Sequence, residues 1–121
     1  MTTLEFRLYR DERIRDLSRA YEDDPDKTSD DPAVRSAWER VRRNWQDHAE
    51  TVKAYAYEEN IDELMQAWHS VSSENRFRNE HEGIALNPKL SREQIAEILS
   101  VAEGNPNMYW VVHHLQQHPN K

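Results

Sequence analysis

The feature that most constrains this chain is a regular apolar spacing in its middle, where no Gly or Pro occurs from residue 33 to residue 59. Apolar and aromatic residues recur there at alternating steps of four and three, which places them along one side of an α-helix. The members of this seam are Val34, Trp38, Val41, Trp45, His48, Val52 and Tyr55. We expect the seam to be buried in a helical core, where Trp45→Ala would cost roughly 3–5 kcal/mol and replacement of the polar His48 by Leu would stabilise the fold.

Helical spacing and capping residues recur along the rest of the chain. Residue types that cap helix N-termini occur at four positions, Thr2, Asp31, Asn60 and Ser91. Gly104 is suited to end a helix. These signals predict helices over approximately residues 2–22, 32–59, 61–71, 91–103 and 106–118. No strand pattern finds a second strand to pair with. We therefore predict an all-α, single-domain bundle of about five helices that spans residues 1–121.

Two segments lack a large apolar face and are predicted as connections between helices. Residues 22–31 form an acidic run, which is typical of a solvated loop. Residues 72–83 are polar and are predicted as a surface connection, with a short helical turn that could end at Gly83.

The composition predicts a thin core that is rich in aromatic residues. Leu, Ile, Val and Phe together make up 22 of the 121 residues. This fraction lies just under ~20 %, the level below which chains are typically disordered. Four Trp and five Tyr compensate, because each large aromatic side chain buries roughly 150–250 Å². We expect a partner or a second copy of the chain to supply part of the burial.

Several classes of function are excluded by composition. The absence of Cys excludes disulfides, a thiol nucleophile, Cys-ligated zinc and iron–sulfur clusters, and two Gly residues are too few for a Gly-rich phosphate-binding loop. No apolar run approaches the ~20 residues that span a bilayer, and no signal peptide is evident. We expect a cytoplasmic protein that uses no cofactor and binds no membrane.

The last third of the chain carries Asn-Pro pairs ahead of short apolar helical patterns. Asn87-Pro88 and Asn105-Pro106 are each followed by such a pattern, and the chain ends on His118-Pro119-Asn120. Over residues 83–120 the sequence resembles the leucine-rich variant repeat, a relative of HEAT-type helical repeats. The resemblance implies a HEAT-like helical surface that binds proteins rather than a catalytic site.

A second resemblance concerns one pair of residues. Arg76 and His81 have the Arg-x₄-His spacing, which is similar to the signature of the HEPN ribonucleases, all-α domains of about this size. The resemblance implies that Arg76 would orient and neutralise a phosphate and that His81 would act as general base on the ribose 2′-hydroxyl. A small ribonuclease is therefore the alternative to a binding function.

The last predicted helix holds the best candidates for a metal site. His114 and His118 are four residues apart, and two imidazoles at that spacing can chelate Zn²⁺ or Ni²⁺. No third and fourth ligand accompany them in a recognised pattern. We therefore expect no metal site, and we expect both side chains either to cap the helix C-terminus or to be exposed at a frayed helix end near Pro119.

Arginine and tryptophan alternate along the long helix, a composition that single-stranded nucleic acid favours. The formal net charge of −7 argues against that partner, as does the expected burial of Trp38 and Trp45 on the seam. We predict a non-enzymatic interaction module, a small acidic regulator, inhibitor or assembly adaptor; structural self-association, including a homodimer, is a further alternative. The predicted partner-binding residues are Arg35, Arg42, Arg43, Tyr109, Trp110 and His113.

Overall fold

The computed structural model describes residues 1–19, 25–71 and 79–121, and within those ranges it contains six α-helices and no strand. The prediction of an all-α bundle is confirmed. The helices are α1 (Thr3–Arg19), α2 (Pro32–Ala56), α3 (Ile61–Val71), α4 (Asn79–Ala85), α5 (Arg92–Ala102) and α6 (Tyr109–Gln117), with 3-10 turns at Pro25–Thr28 and Pro106–Met108. None of these helices has the length and apolarity that a membrane crossing requires.

The helix boundaries follow the capping residues that the sequence contains. Thr2 and Glu5 exchange side-chain and backbone hydrogen bonds at the start of α1, and Ser91 and Gln94 form the same reciprocal box before α5. The Asp31 carboxylate accepts from the backbone amide of Ala33 at the start of α2. Gly104 follows α5 with a φ of +85°, a left-handed conformation that glycine adopts without steric cost.

The core consists of two clusters of buried side chains with α4 and the residues after it between them. The larger cluster joins α3, α5 and α6 around Trp68 and Ile84. The smaller cluster joins α1 and α2 through Ile14, Val52 and Leu86. Every residue from 81 to 88 is buried. The prediction of a surface connection is therefore wrong for residues 81–83, which are buried, although the helical turn predicted near Gly83 is present as part of α4. Residues 72–78 lie outside the described ranges.

Gly83 of α4 marks the closest approach between α4 and α2. A Cβ atom built on Gly83 would lie 2.7 Å from the backbone oxygen of Val52 and 2.7 Å from the Cβ atom of Tyr55. Neither of those atoms is the end of a flexible side chain, so any larger residue must push the two helices apart. Gly83 thus allows helix packing at short range and does not terminate α4, which continues to Ala85.

Gly83→Ala is expected to lower the free energy of unfolding by about 1–3 kcal/mol, the usual cost of overpacking a close-packed interior. The added methyl would clash with Val52 and Tyr55 although alanine favours helix more than glycine does. Urea denaturation followed by circular dichroism measures the effect. An unchanged or raised unfolding midpoint would contradict the close approach of the two helices.

The seam of α2 is only half buried, which corrects the expectation for its first half. The buried residues of α2 are Ala49, Val52 and Ala56, all in its second half. Val41 is 47 % exposed and Trp45 is 38 % exposed. The seam therefore continues past the point where α1 and α4 cover it.

Candidate functional site

The centre of the molecule contains a buried carboxylate with three cationic or imidazole donors. Glu82 of α4 has no exposed side-chain surface. One of its oxygens, Oε1, accepts from Arg13 Nε at 2.6 Å and lies 3.0 Å from His114 Nε2; the other, Oε2, lies 3.3 Å from His48 Nε2. Because these donors come from α1, α6 and α2, a single carboxylate joins four helices.

A phenol extends this network toward the surface. The hydroxyl of Tyr9 lies 2.7 Å from His114 Nδ1, on the opposite side of the ring from Glu82. A neutral His114 with its proton on Nε2 satisfies both contacts, since it then donates to the Glu82 carboxylate and accepts from the Tyr9 hydroxyl. The chain of hydrogen bonds is therefore complete with a neutral His114 and does not require the imidazolium form.

Burial and hydrogen bonding set the protonation of these groups in opposite directions. Burial alone would raise the pKa of Glu82, but the hydrogen bonds from His114, His48 and Arg13 and the Arg13 charge outweigh it and hold that pKa well below its usual range. Burial lowers the pKa of His114 despite the neighbouring Glu82 carboxylate. Burial likewise raises the pKa of Tyr9 to about 12. These directions describe an ionised Glu82 that is paired with Arg13 and lies next to a neutral His114, with a neutral Tyr9 beyond it.

This network is suited to holding helices together rather than to acting on a substrate. Glu82 and His114 have no solvent-exposed surface, and the carboxylate oxygens already accept from several donors. The network was not predicted from the sequence, because Glu82 lies in the segment predicted as a polar connection. A buried role could have been suspected from the apolar residues at 84–86, which follow soon after Glu82.

His48 belongs to this network and not to an apolar core. Its Nε2 atom faces the Glu82 carboxylate, and its ring stacks on Trp45 at a centroid distance of 5.7 Å. Leu at this position would remove a donor from a buried carboxylate, which costs free energy. The sequence-based expectation was that His48→Leu stabilises the fold. We now expect this substitution to lower the free energy of unfolding.

The two candidate metal ligands are buried and hydrogen-bonded within the protein. His114 uses its two ring nitrogens for Tyr9 and Glu82. His118 Nε2 lies 2.9 Å from the backbone oxygen of Asn87, and its Nδ1 accepts from the backbone amide of Asn120. The expectation of an exposed, frayed helix end is wrong for both residues. Within the described ranges no cluster of three or more His, Asp or Glu side chains is arranged to hold a metal ion.

The two candidate ribonuclease residues are not seen together. Arg76 lies outside the described ranges. His81 is fully buried in α4 and packs edge-on against the ring of Trp68, at a centroid distance of 5.5 Å. In this position the imidazole has no surface on which an RNA strand could lie.

The predicted arginines of α2 lie on its exposed first half. Arg35 and Arg43 are exposed, and Arg43 contributes to a shallow groove of about 700 Å³ beside Trp38 that other cationic side chains also line. Arg42 pairs with Glu39 at 3.0 Å, and its guanidinium lies 5.9 Å from the centroid of the Trp38 ring. These side chains make the first half of α2 locally basic in an acidic protein.

The predicted aromatic residues of α6 form a second exposed cluster. Tyr109 is 61 % exposed and Trp110 is 37 % exposed, and both rings contact the ring of His113. The guanidinium of Arg13 lies 3.9 Å from the centroid of Trp110 while its Nε atom binds Glu82. Arg13 therefore connects this cluster to the buried network.

Comparison with known protein families, with curated proteins and with solved structures found no match for the chain. The resemblance of residues 83–120 to leucine-rich variant repeats, and the implied HEAT-like surface, stay a prediction.

Proposed function

We propose that this chain is a non-enzymatic protein–protein interaction module of the cytoplasm, a small acidic regulator, inhibitor or assembly adaptor that binds another protein through the first half of α2. The supporting observation is that the heptad spacing continues beyond the core on residues that are exposed or half-buried. We call the four residues Val34, Trp38, Val41 and Trp45 the open seam. They keep the register of buried Val52, but none of the four is buried.

The open seam has the features of a surface that a second helix covers. Side chains at alternating steps of four and three form knobs that fit into the holes between side chains of another helix. An irregular peptide has no regular holes of this kind. Trp and Arg are the residue types that most often dominate binding energy, and here Arg42 lies beside Trp38. The thin core predicted from composition is a further reason to expect burial against a partner.

Trp45→Ala is expected to change the free energy of unfolding by about 1 kcal/mol or less, and to weaken partner binding by about tenfold or more. The small effect on folding follows from the exposure of the Trp45 ring, and it replaces the 3–5 kcal/mol expected of a core position. Urea denaturation measures the first quantity. Titration of a purified partner measures the second.

The partner can be identified by photo-cross-linking from a photo-reactive amino acid placed at Val41. The same amino acid placed at Arg43 is the matched control. Arg43 is two residues further along the helix and therefore points away from the open seam, so this proposal no longer counts it among the partner-binding residues. A partner that cross-links at 41 and not at 43, and that loses affinity for Trp45→Ala, supports the proposal. Equal cross-linking at both positions, or unfolding of Trp45→Ala, contradicts it.

Two alternatives predict different results in the same experiments. Structural self-association predicts cross-links at position 41 to a second copy of the chain and a concentration-dependent dimer in sedimentation. A HEPN-like ribonuclease predicts cleavage of single-stranded RNA by the purified protein, lost in His81→Ala with the fold intact. The burial of His81 is the observation that favours the binding module over the ribonuclease.

A further inference from the structure

We propose that the partner of the open seam is an α-helix of a different protein that carries aspartate or glutamate beside its own apolar stripe. This inference rests on the proposed function, because it names the chemistry of the partner at the same surface. It comes from the residues that flank the open seam, whose charges are all of one sign.

The flanks of the open seam are asymmetric. In heptad terms, Arg35 and Arg42 occupy the position directly after the seam residues Val34 and Val41. The corresponding positions on the other side of the seam, directly before Trp38 and Trp45, hold the uncharged Ala37 and Asn44. Flanking positions of this kind select the partner and its orientation through charge pairs. Here they present only cations.

These two arginines are available to a partner. Arg35 is exposed and forms no ion pair within the described part of the chain. Arg42 is paired with Glu39 three residues earlier on the same helix, and both side chains are solvent-accessible. An exposed pair of this kind contributes little to stability, so Arg42 can exchange Glu39 for a carboxylate of the partner.

A second copy of this chain does not fit the flanks. In an antiparallel pair, Arg35 and Arg42 would face the same two arginines of the other copy, and like charges repel. In a parallel pair, they would face Ala37 and Asn44, which offer no carboxylate. A helix with acidic flanks supplies the missing opposite charge in either orientation.

Nucleic acid fits the surface less well than an acidic helix does. Residues 32–45 hold four arginines and one glutamate, but the whole chain has a formal net charge of −7. A polyanion that extends past α2 meets this net negative charge, whereas a helix can confine its carboxylates to the two arginines. A nucleic-acid backbone also lacks an apolar stripe to cover Val41.

Two synthetic helical peptides with the same apolar stripe test the inference, one with Glu at the flanking positions and one with Lys. We expect the protein to bind the Glu peptide about tenfold more tightly than the Lys peptide at low salt, and the difference to shrink as salt is added. The Arg35→Glu, Arg42→Glu double variant is expected to reverse the preference. The Arg40→Glu, Arg43→Glu double variant changes the net charge equally, away from the seam, and is expected to keep it.

The possible results separate the inference from the proposed function. Equal binding of both peptides, or equal effects of the two double variants, overturns the acidic helix and leaves the interaction module in place. Binding of neither peptide, with no cross-link at position 41, overturns the proposed function as well. Tighter binding of a single-stranded RNA oligonucleotide than of the Glu peptide, or a dimer that Trp45→Ala abolishes, overturns the acidic helix in favour of that other occupant.

Discussion

Replacing Glu82 with alanine is expected to lower the free energy of unfolding by about 3–5 kcal/mol, the range for breaking a buried ion pair by removing one partner. The substitution leaves Arg13 mostly buried without its carboxylate, and it removes the acceptor that His48 and His114 face. A folded chain of this size has only about 5–15 kcal/mol of stability, so much of it is lost. Urea denaturation, followed by Trp fluorescence and circular dichroism, measures the change.

Two further variants identify the cause of that loss. Glu12→Ala removes an exposed carboxylate from α1 and is expected to change the free energy of unfolding by about 0.5 kcal/mol or less. Glu82→Gln keeps an oxygen acceptor and the side-chain volume but not the charge, so its cost is expected to lie between those of the two alanine variants. If Glu82→Ala unfolds at the same urea concentration as Glu12→Ala, the network does not hold the helices together.

The buried network around Glu82 is related to the low content of aliphatic residues in this chain. Few aliphatic residues are available for a core, and the structure divides them into two clusters on either side of α4. A carboxylate at the boundary, bound by donors from three other helices, joins elements that apolar contact alone joins weakly. A fully bonded polar network of this kind specifies one arrangement of helices as well as stabilising it.

The helices and their caps could be predicted because their signals are local. Ser91 with Gln94, and Asp31 with Pro32, are recognisable within a few residues, and the structure confirms both. A helical turn near Gly83 could be predicted in this way, but the burial of α4 could not, because its polar residues become buried only through partners far along the chain. Glu82, for example, meets Arg13, which lies 69 positions away. Tertiary contacts decide such a segment, and local spacing does not report them.

The seam of α2 also shows that local spacing does not report tertiary contacts. Its heptad spacing correctly predicted a long helix, since spacing determines which residues share a face. Spacing does not determine how far along the helix a neighbour reaches. The core covers Val52 but not Val41, and nothing in the sequence of α2 distinguishes these two positions. The exposed half is therefore the part of the candidate site that required a structure.

Acidification from pH 7 to pH 5 is expected to destabilise the fold through His114 and His118. Burial lowers the pKa of both side chains in the folded protein, so they stay neutral there below the unfolded-state value of about 6.5. The unfolded chain then binds more protons than the folded chain, and the free energy of unfolding falls as the pH falls. Each histidine contributes a slope of up to about 1.4 kcal/mol per pH unit. Below about pH 4.5 the depressed pKa of Glu82 adds a loss of the same sign.

The free energy of unfolding from urea titrations at pH 7, 6 and 5 measures this slope. His118→Gln provides a variant without the second titrating group, since the Gln amide can still donate to the Asn87 carbonyl and accept from Asn120. Its slope is expected to be smaller than that of the unmodified protein over the same interval. A free energy of unfolding that is constant or rises between pH 7 and pH 5 would mean that the two imidazoles gain protons in the folded state, and would contradict a neutral His114 between Tyr9 and Glu82.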